Sequence, residues 1–296
     1  MGTTRVLVVD DDQMNLAVLV RALGKVGIET VTAEDGVEAL ALLKANPDSF
    51  DVLLLDLVMP RMDGMHLLKR IKASSRLRHI PVILQTASAA PEAISKGLQA
   101  GAYYYLIKPL TQRVVLAVVR TAAEVCARHR ALALQAERPD STMAMLQEGR
   151  FCFRTLQECH QLANHLAKLC PRPGQVVTGL SELLINALEH GNLGISYDDK
   201  TTLVEEHRWK LEVQARLELP ENQDKSVEVF AQRLPGRVRF EIQDQGPGFN
   251  WQAFMAPSPA RIMDNHGRGI FLAKMDSFDR LEYMGNGNRV VAEVLT

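Results

Sequence analysis

The chain is predicted to hold two consecutive α/β domains: a doubly wound, five-stranded parallel sheet, then an α/β sandwich with a mixed, mostly antiparallel sheet. Three observations predict this. In the N-terminal part of the 296 residues, short apolar runs alternate with helix-length amphipathic stretches, the pattern of a βα repeat. In the C-terminal part, strand-like runs of alternating polarity are separated by Pro and Gly turn signals. Between the two a long helical pattern runs up to Pro139.

In the first domain, residues 6–9, 52–55, 82–84 and 104–107 read as buried parallel strands, and 29–32 as a weaker one. Residues 14–26, 36–45, 64–73, 91–99 and 111 to about 130 carry the helical period between and after them. The last of these overruns the domain into Arg128-His129-Arg130 and stops before Pro139, since proline lacks the helical donor and restricts its predecessor. Such a helix is either a transmission rod or a simple spacer or dimer helix. The expected partition is 1–123, a helical linker 124–148, and 149–296.

In the second domain, residues 151–154 read as a short strand and about 156–169 as a helix ending at Pro171-Arg172-Pro173. A second helix follows through 181–192. Residues 210–219, 226–234 and 237–244 alternate as strands, with turn signals at Pro220 and Pro235-Gly236. A helix over 270–275 precedes a hairpin, 280–283 and 289–295, around Gly285-Asn286-Gly287-Asn288.

Composition narrows the function classes. The net charge is −1, 47% of residues are hydrophobic, and no apolar run approaches the ~20 residues that span a bilayer. The N-terminus leads into a strand rather than a signal-peptide core, so a cytoplasmic location without membrane attachment is expected. Cys126, Cys152, Cys159 and Cys170 show neither a C-x-x-C pair nor zinc spacing and are expected as reduced thiols. Balanced charge without a Lys/Arg-rich helix argues against direct DNA binding.

Ligands of open parallel sheets bind at the carboxyl ends of strands. Those ends hold Asp10, Asp11, Asp56, Thr86 and Lys108. Three carboxylates converging there would repel one another unless a cation neutralised them, and oxygen-only donors favour Mg²⁺. The lysine and the hydroxyl suit the oxygens of a phosphoryl group on Asp56. The alternative is that each acid merely ends a strand or caps a helix.

Val8-Val9-Asp10-Asp11-Asp12, the run Asp56 to Gly64 (Asp-Leu-Val-Met-Pro-Arg-Met-Asp-Gly), Gln85-Thr86-Ala87 and Leu106-Ile107-Lys108-Pro109 together resemble a response-regulator receiver domain. The resemblance covers the first domain. It implies a flavodoxin-like fold with Asp56 as phosphoacceptor, and Mg²⁺ held by Asp10, Asp11, Asp56 and the main-chain carbonyl of Val58. It also implies phosphate sensing by Thr86 and Lys108, with Tyr105 as the aromatic that swings, and an upstream sensor histidine kinase as partner. Tyr103 and Tyr104 depart from the family, which often carries an acidic residue before that aromatic. An added exposed ring there marks either a docking face or packing against the second domain.

In the second domain, helical spacing places Glu182, Asn186 and Glu189 on one face, backed by Leu183, Leu184, Ala187 and Leu188. A carboxylate one turn from a carboxamide suits a base beside a Mg²⁺ ligand; the plainer reading is an amphipathic helix with a polar face. Asp244-Gln-Gly246-Pro-Gly248-Phe249 puts a carboxylate at a strand end, where it can accept the exocyclic amine of adenine, followed by glycines that let the chain turn. His266-Gly267-Arg268-Gly269-Ile270 opens a helix whose free amides suit phosphates.

In this order the three motifs resemble the GHKL ATPase family with its Bergerat fold, and within it the anti-sigma-factor serine/threonine protein kinases. The resemblance implies ATP and Mg²⁺ as cofactors, Asn186 on the metal, Asp244 on adenine, and Gly246, Gly248, Gly267 and Gly269 around the nucleotide. Glu182 is then the base that takes the proton of a substrate hydroxyl. Residues 193–209 are longer than the minimal family plan.

Together these features lead us to expect a response regulator with a serine/threonine kinase output. Its partner is a STAS-type anti-sigma-factor antagonist, with a sigma factor and a homodimer as further expected contacts. Two alternatives stay open: a non-catalytic, ATP-dependent anti-sigma binding module, and a hybrid histidine kinase using His160 or His165. The second lacks an acidic residue after His160 and a helical hairpin before the ATP site.

Overall fold

The computed structural model describes residues 4–87, 90–136, 141–206, 208–254 and 269–296. The chain divides into two compact units between His129 and Arg130.

The first unit alternates β1 (Arg5–Val9), α1 (Gln13–Gly24), β2 (Glu29–Ala33), α2 (Gly36–Ala45), β3 (Val52–Asp56), α3 (Gly64–Ala73), β4 (Val82–Thr86), α4 (Pro91–Gln99), β5 (Tyr104–Ile107) and α5 (Gln112–Ala136). Its sheet runs β2-β1-β3-β4-β5, parallel throughout. Central strands buried on both faces read as unbroken apolar runs; in β3 all five residues are buried. Alternate side chains then feed two cores. Leu53 and Leu55 join Leu40, Leu67 and Leu68, while Val52 and Leu54 join Leu16, Leu19, Val115 and Val119. Asp12, Asp35 and Asp63 cap α1, α2 and α3, accepting backbone N–H bonds of the first turns.

The same alternation corrects the reading of the extra rings. Tyr104 is buried with Leu106 in one core and Tyr105 in the other, and Tyr103 packs half-buried against the core of Tyr104. The strand sends Tyr104 and Tyr105 to opposite faces, and Tyr103, just before it, lies half-buried, so none of the three rings is exposed.

In the second unit α6 (Ser141–Ala144), β6 (Glu148–Phe153), α7 (Leu156–Ala167) and α8 (Pro173–Asn186) come first. A π-helical turn, Ala187–Asn192, extends α8. Then follow α9 (Tyr197–Glu205), α10 (Trp209–Leu217), β7 (Val227–Leu234), β8 (Arg237–Gln243), α11 (Gly269–Asp276), β9 (Arg280–Met284) and β10 (Arg289–Leu295). The sheet order is β6-β7-β8-β10-β9, and every described neighbour pair is antiparallel. Val227, Val229 and Ala231 of β7 and Val238, Phe240 and Ile242 of β8 alternate inward to meet Val176, Leu180 and Leu184 of α8. The core also takes Leu132 and Ala136 from the end of α5.

One expected strand is a helix. Residues 210–219 alternate Leu211, Val213, Leu217 and Leu219 in strand fashion, yet Trp209–Leu217 is α10. Only Val213 of that helix is buried, and Leu211 is exposed. Straight-chain residues favour the helix, and Arg216 pairs with Glu212 one turn back at 2.8 Å.

Candidate functional site

Strand order brings the first set of polar residues to one sheet edge. Asp56 and Thr86 end β3 and β4, and Asp10 and Lys108 follow β1 and β5 directly. Asp10, Asp56 and Thr86 are buried, and the Lys108 Nζ lies 2.9 Å from Asp10 Oδ2 and 2.6 Å from Asp56 Oδ1. Val58 donates its N–H to Asp56 Oδ2 at 2.9 Å, and Asp10 Oδ1 accepts from Asp12 N and Asn15 Nδ2. Burial pushes the Asp56 carboxyl up, against the pull of Lys108. Burial works to lower the ammonium of Lys108, but the two carboxylates outweigh it and its value is raised. Tyr105 sits in contact range of Thr86, its hydroxyl pushed up by burial.

Two of the three carboxylates converge, and Lys108 supplies the cation between them. Asp11 is exposed, and among the described residues no three His, Cys, Asp or Glu side chains are grouped to hold a metal. The buried oxygen donors of Asp10 and Asp56 fit a hard divalent ion. Neither caps a helix; the caps of α1, α2 and α3 are Asp12, Asp35 and Asp63, while Asp56 ends β3.

The loop after Asp56 is anchored by residues that sequence reasoning passed over. Arg61, in the left-handed region at φ 60, pairs its guanidinium with buried Asp35. Gly36 donates its N–H to the Met62 carbonyl at 3.2 Å. Gly64 packs so close that a Cβ would overlap the Asp56 carbonyl.

The second set is built on α8. Glu182, Asn186 and His190 are half-buried at four-residue intervals, whereas Glu189 is wholly buried. This corrects the expected face. In the π turn each residue advances through a smaller angle than in an α-helix, which swings His190 into line and turns Glu189 inward against Lys200, at 2.6 Å. Burial raises the Glu189 carboxyl, against Lys200. His190 Nδ1 lies 2.5 Å from the Ile195 carbonyl.

The end of the π turn meets the loop after β8. A Cβ on Gly191 would overlap the Asp244 carboxylate, and one on Gly246 the Gly191 carbonyl. Asn192 Oδ1 accepts the Gln245 N–H at 2.7 Å. Asp244 is buried, one oxygen accepting the Gly246 N–H at 2.8 Å, and burial pushes its carboxyl up to about 6. From the other side the hairpin turn clamps the loop. Asp244 N–H donates to the Asn288 carbonyl at 3.0 Å, Phe249 N–H to the Asn286 carbonyl at 2.8 Å, and Asn286 Nδ2 to the Pro247 carbonyl at 2.8 Å. Gly248 takes φ 82, which favours glycine. Phe249 and Trp251 flank Tyr283 at ring-centre distances of 5.3 and 6.1 Å.

Gly269 is the first residue of α11, while His266, Gly267 and Arg268 lie outside the described residues. Gly191, Asn192 and the hairpin asparagines were missed in the sequence, because each acts through a neighbour distant along the chain. His160 and His165 lie on α7, a single helix between β6 and α8 with a Thr155–Glu158 capping box.

Two family descriptions match the chain: "Response regulator receiver domain" over residues 6–120 and "Histidine kinase-like ATPase domain" over 109–294. Chemotaxis protein CheY1 of Helicobacter pylori is 38% identical over 112 residues, covering 38% of this chain and 90% of its own length. Response regulator PleD of Caulobacter vibrioides is 40% identical over 119 residues, 40% of this chain and 26% of its own. Among solved structures, chemotaxis response regulator CheY4 of Vibrio cholerae matches 41% of this chain and 99% of its own, with 32% identity and a TM-score of 0.38.

Proposed function

Since the chain belongs to the histidine kinase-like ATPase domain family and carries a response-regulator receiver domain ahead of it, we propose a two-component regulator whose output is an ATP-dependent serine/threonine protein kinase. Its substrate is a STAS-type anti-sigma-factor antagonist, within a partner switch that controls transcription. A sigma factor and a second copy of the chain are further proposed contacts.

The observation that carries this reading is the open face of α8, where Glu182 and Asn186 stay half-buried beside a π turn interlocked with the Asp244 loop. Asp244 has one oxygen engaged by Gly246 and one left for the adenine amine. Asn186 would hold Mg²⁺, with Gly246, Gly248, Gly267 and Gly269 lining the nucleotide. The bound ion supplies charge neutralisation at the phosphates, the main demand of phosphoryl transfer. Glu182 takes the proton of the incoming serine or threonine hydroxyl.

In the receiver, Asp56 accepts the phosphoryl group from the phosphohistidine of a sensor kinase. Asp10, Asp11, Asp56 and the Val58 carbonyl would hold Mg²⁺ there. Lys108, already on Asp56, pairs with the acquired charge, and the Thr86 hydroxyl donates to a phosphoryl oxygen, with Tyr105 packing behind it. The long α5, whose residues enter the core of each unit, supports a regulatory link between the two.

The deciding experiment incubates the full chain with γ-labelled ATP, Mg²⁺ and a candidate antagonist. Label on an antagonist serine is expected. Label on His160 supports a histidine kinase instead, and nucleotide binding without transfer supports an anti-sigma binding module.

A further inference from the structure

Glu189 is the one wholly buried carboxylate among the described residues of the second unit that the proposed chemistry leaves unused. A carboxylate taken out of water must be paired or protonated. Compensation comes first from the Lys200 ammonium, 2.6 Å from Oε2 and itself only 17% exposed, with the Trp209 side chain as a second, weaker partner of the charged carboxylate. That ammonium also lies 5.9 Å from the centre of the Trp209 ring. Lys200 comes from α9, and Trp209 is the first residue of α10.

The turn that carries Glu189 is also the seat of the Asp244 loop. Gly191 lies against the Asp244 carboxylate and Gly246 against the Gly191 carbonyl, without room for a Cβ at either glycine. Asn192 accepts the Gln245 N–H through its side chain, and the Lys225 Nζ reaches the Asn192 carbonyl at 3.0 Å. Ile195 returns its N–H to the Glu189 carbonyl at 2.9 Å. An uncompensated charge at Glu189 would relax by rotating toward water, and the π turn cannot rotate there without moving Gly191 and Asn192. We infer that Lys200 is a positioning residue for the nucleotide site: its ion pair with Glu189 fixes the π turn, and the turn in turn fixes the loop that presents Asp244 to adenine.

The inference rests on nucleotide binding by the second unit, and the two can fail separately. Calorimetric titration of the full chain with Mg-ATP tests the first; a wild type that binds none removes the proposed function. With a binding wild type, Lys200→Met is expected to weaken Mg-ATP by about ten-fold or more, and adenosine by a similar factor, because the disturbed group is the adenine acceptor. Glu189→Gln combined with Lys200→Met removes both charges and is expected to return affinity to within about three-fold of wild type. A Lys200→Met protein that stays folded by circular dichroism, melts lower, and binds as wild type would show a purely structural pair and overturn the inference. If that variant does not fold, the double variant decides, since a folded double variant that binds no better than about ten-fold below wild type overturns it as well.

Discussion

Asp244 combines burial, which pushes its carboxyl up to about 6, with the task of accepting a hydrogen bond. Its folded value lies above the ordinary carboxylate range, so the folded chain binds this proton more readily than the unfolded one. Between the ordinary value and about pH 6 the group therefore subtracts stability as pH rises, and above that window the burial cost is fully present. Asp244→Asn should remove this component from a plot of melting temperature against pH. Nucleotide affinity runs the other way. It should fall as pH drops through about 6 in the wild type, and Asp244→Asn should lower it by roughly ten- to hundred-fold at pH 7, the range of a hydrogen bond to a charged group. Titration with Mg-ATP across pH checks both. At Glu182 the effect should separate differently: Glu182→Ala abolishes transfer but spares Mg-ATP binding, while Asn186→Ala weakens binding itself.

Helices and loops set where those side chains stand. The motif spacing on α8 was legible in the sequence for Glu182 and Asn186, four apart on a regular helix. It failed for Glu189, because the backbone switches to a π turn at Ala187–Asn192 that turns this residue inward and that side-chain period does not encode. Gly191→Ala tests the interlock. The added methyl has no room against the buried Asp244 carboxylate, and the loop that carries it must move, at a cost of about 1–3 kcal/mol. A lower denaturation midpoint together with lost nucleotide binding is expected, and unchanged binding would detach the π turn from the site. The strand reading of 210–219 failed for a related reason. A period of two in Leu211, Val213, Leu217 and Leu219 implies one buried face, but only Val213 of α10 is buried, so no sheet face was there to hold the alternation.

Across the whole molecule, the Asp10–Asp56–Lys108 cluster and the Asp244 loop lie in different compact units, and α5 contributes Val115, Val118 and Val119 to one core and Leu132 and Ala136 to the other. An unbroken helix of 25 residues is stiffer than a coil linker. Phosphorylation can bias the output only through different affinity for two states. Asp56→Ala should accept no phosphoryl group from a small-molecule donor, and its kinase rate should not respond to that donor. Placing two glycines after Ala127 should leave both activities in place but cut the response; a response of full size in that variant rules out α5 as the link. The sign is read from the same assay.

The amino-acid order alone determined the two α/β units, the strand-end placement of Asp10, Asp56, Thr86 and Lys108, and the succession of Glu182, Asn186, Asp244 and the glycines. These depend on local period, on strand polarity and on the spacing of motif residues. Only the tertiary structure decided which carboxylates meet a cation, that Asp35 caps α2 and pairs with Arg61, and that Glu189 turns inward to Lys200. It also decided that the Asp244 loop is held between Gly191 and the hairpin asparagines. Each of these joins residues far apart in the chain, where burial and close packing, not local preference, select the partner.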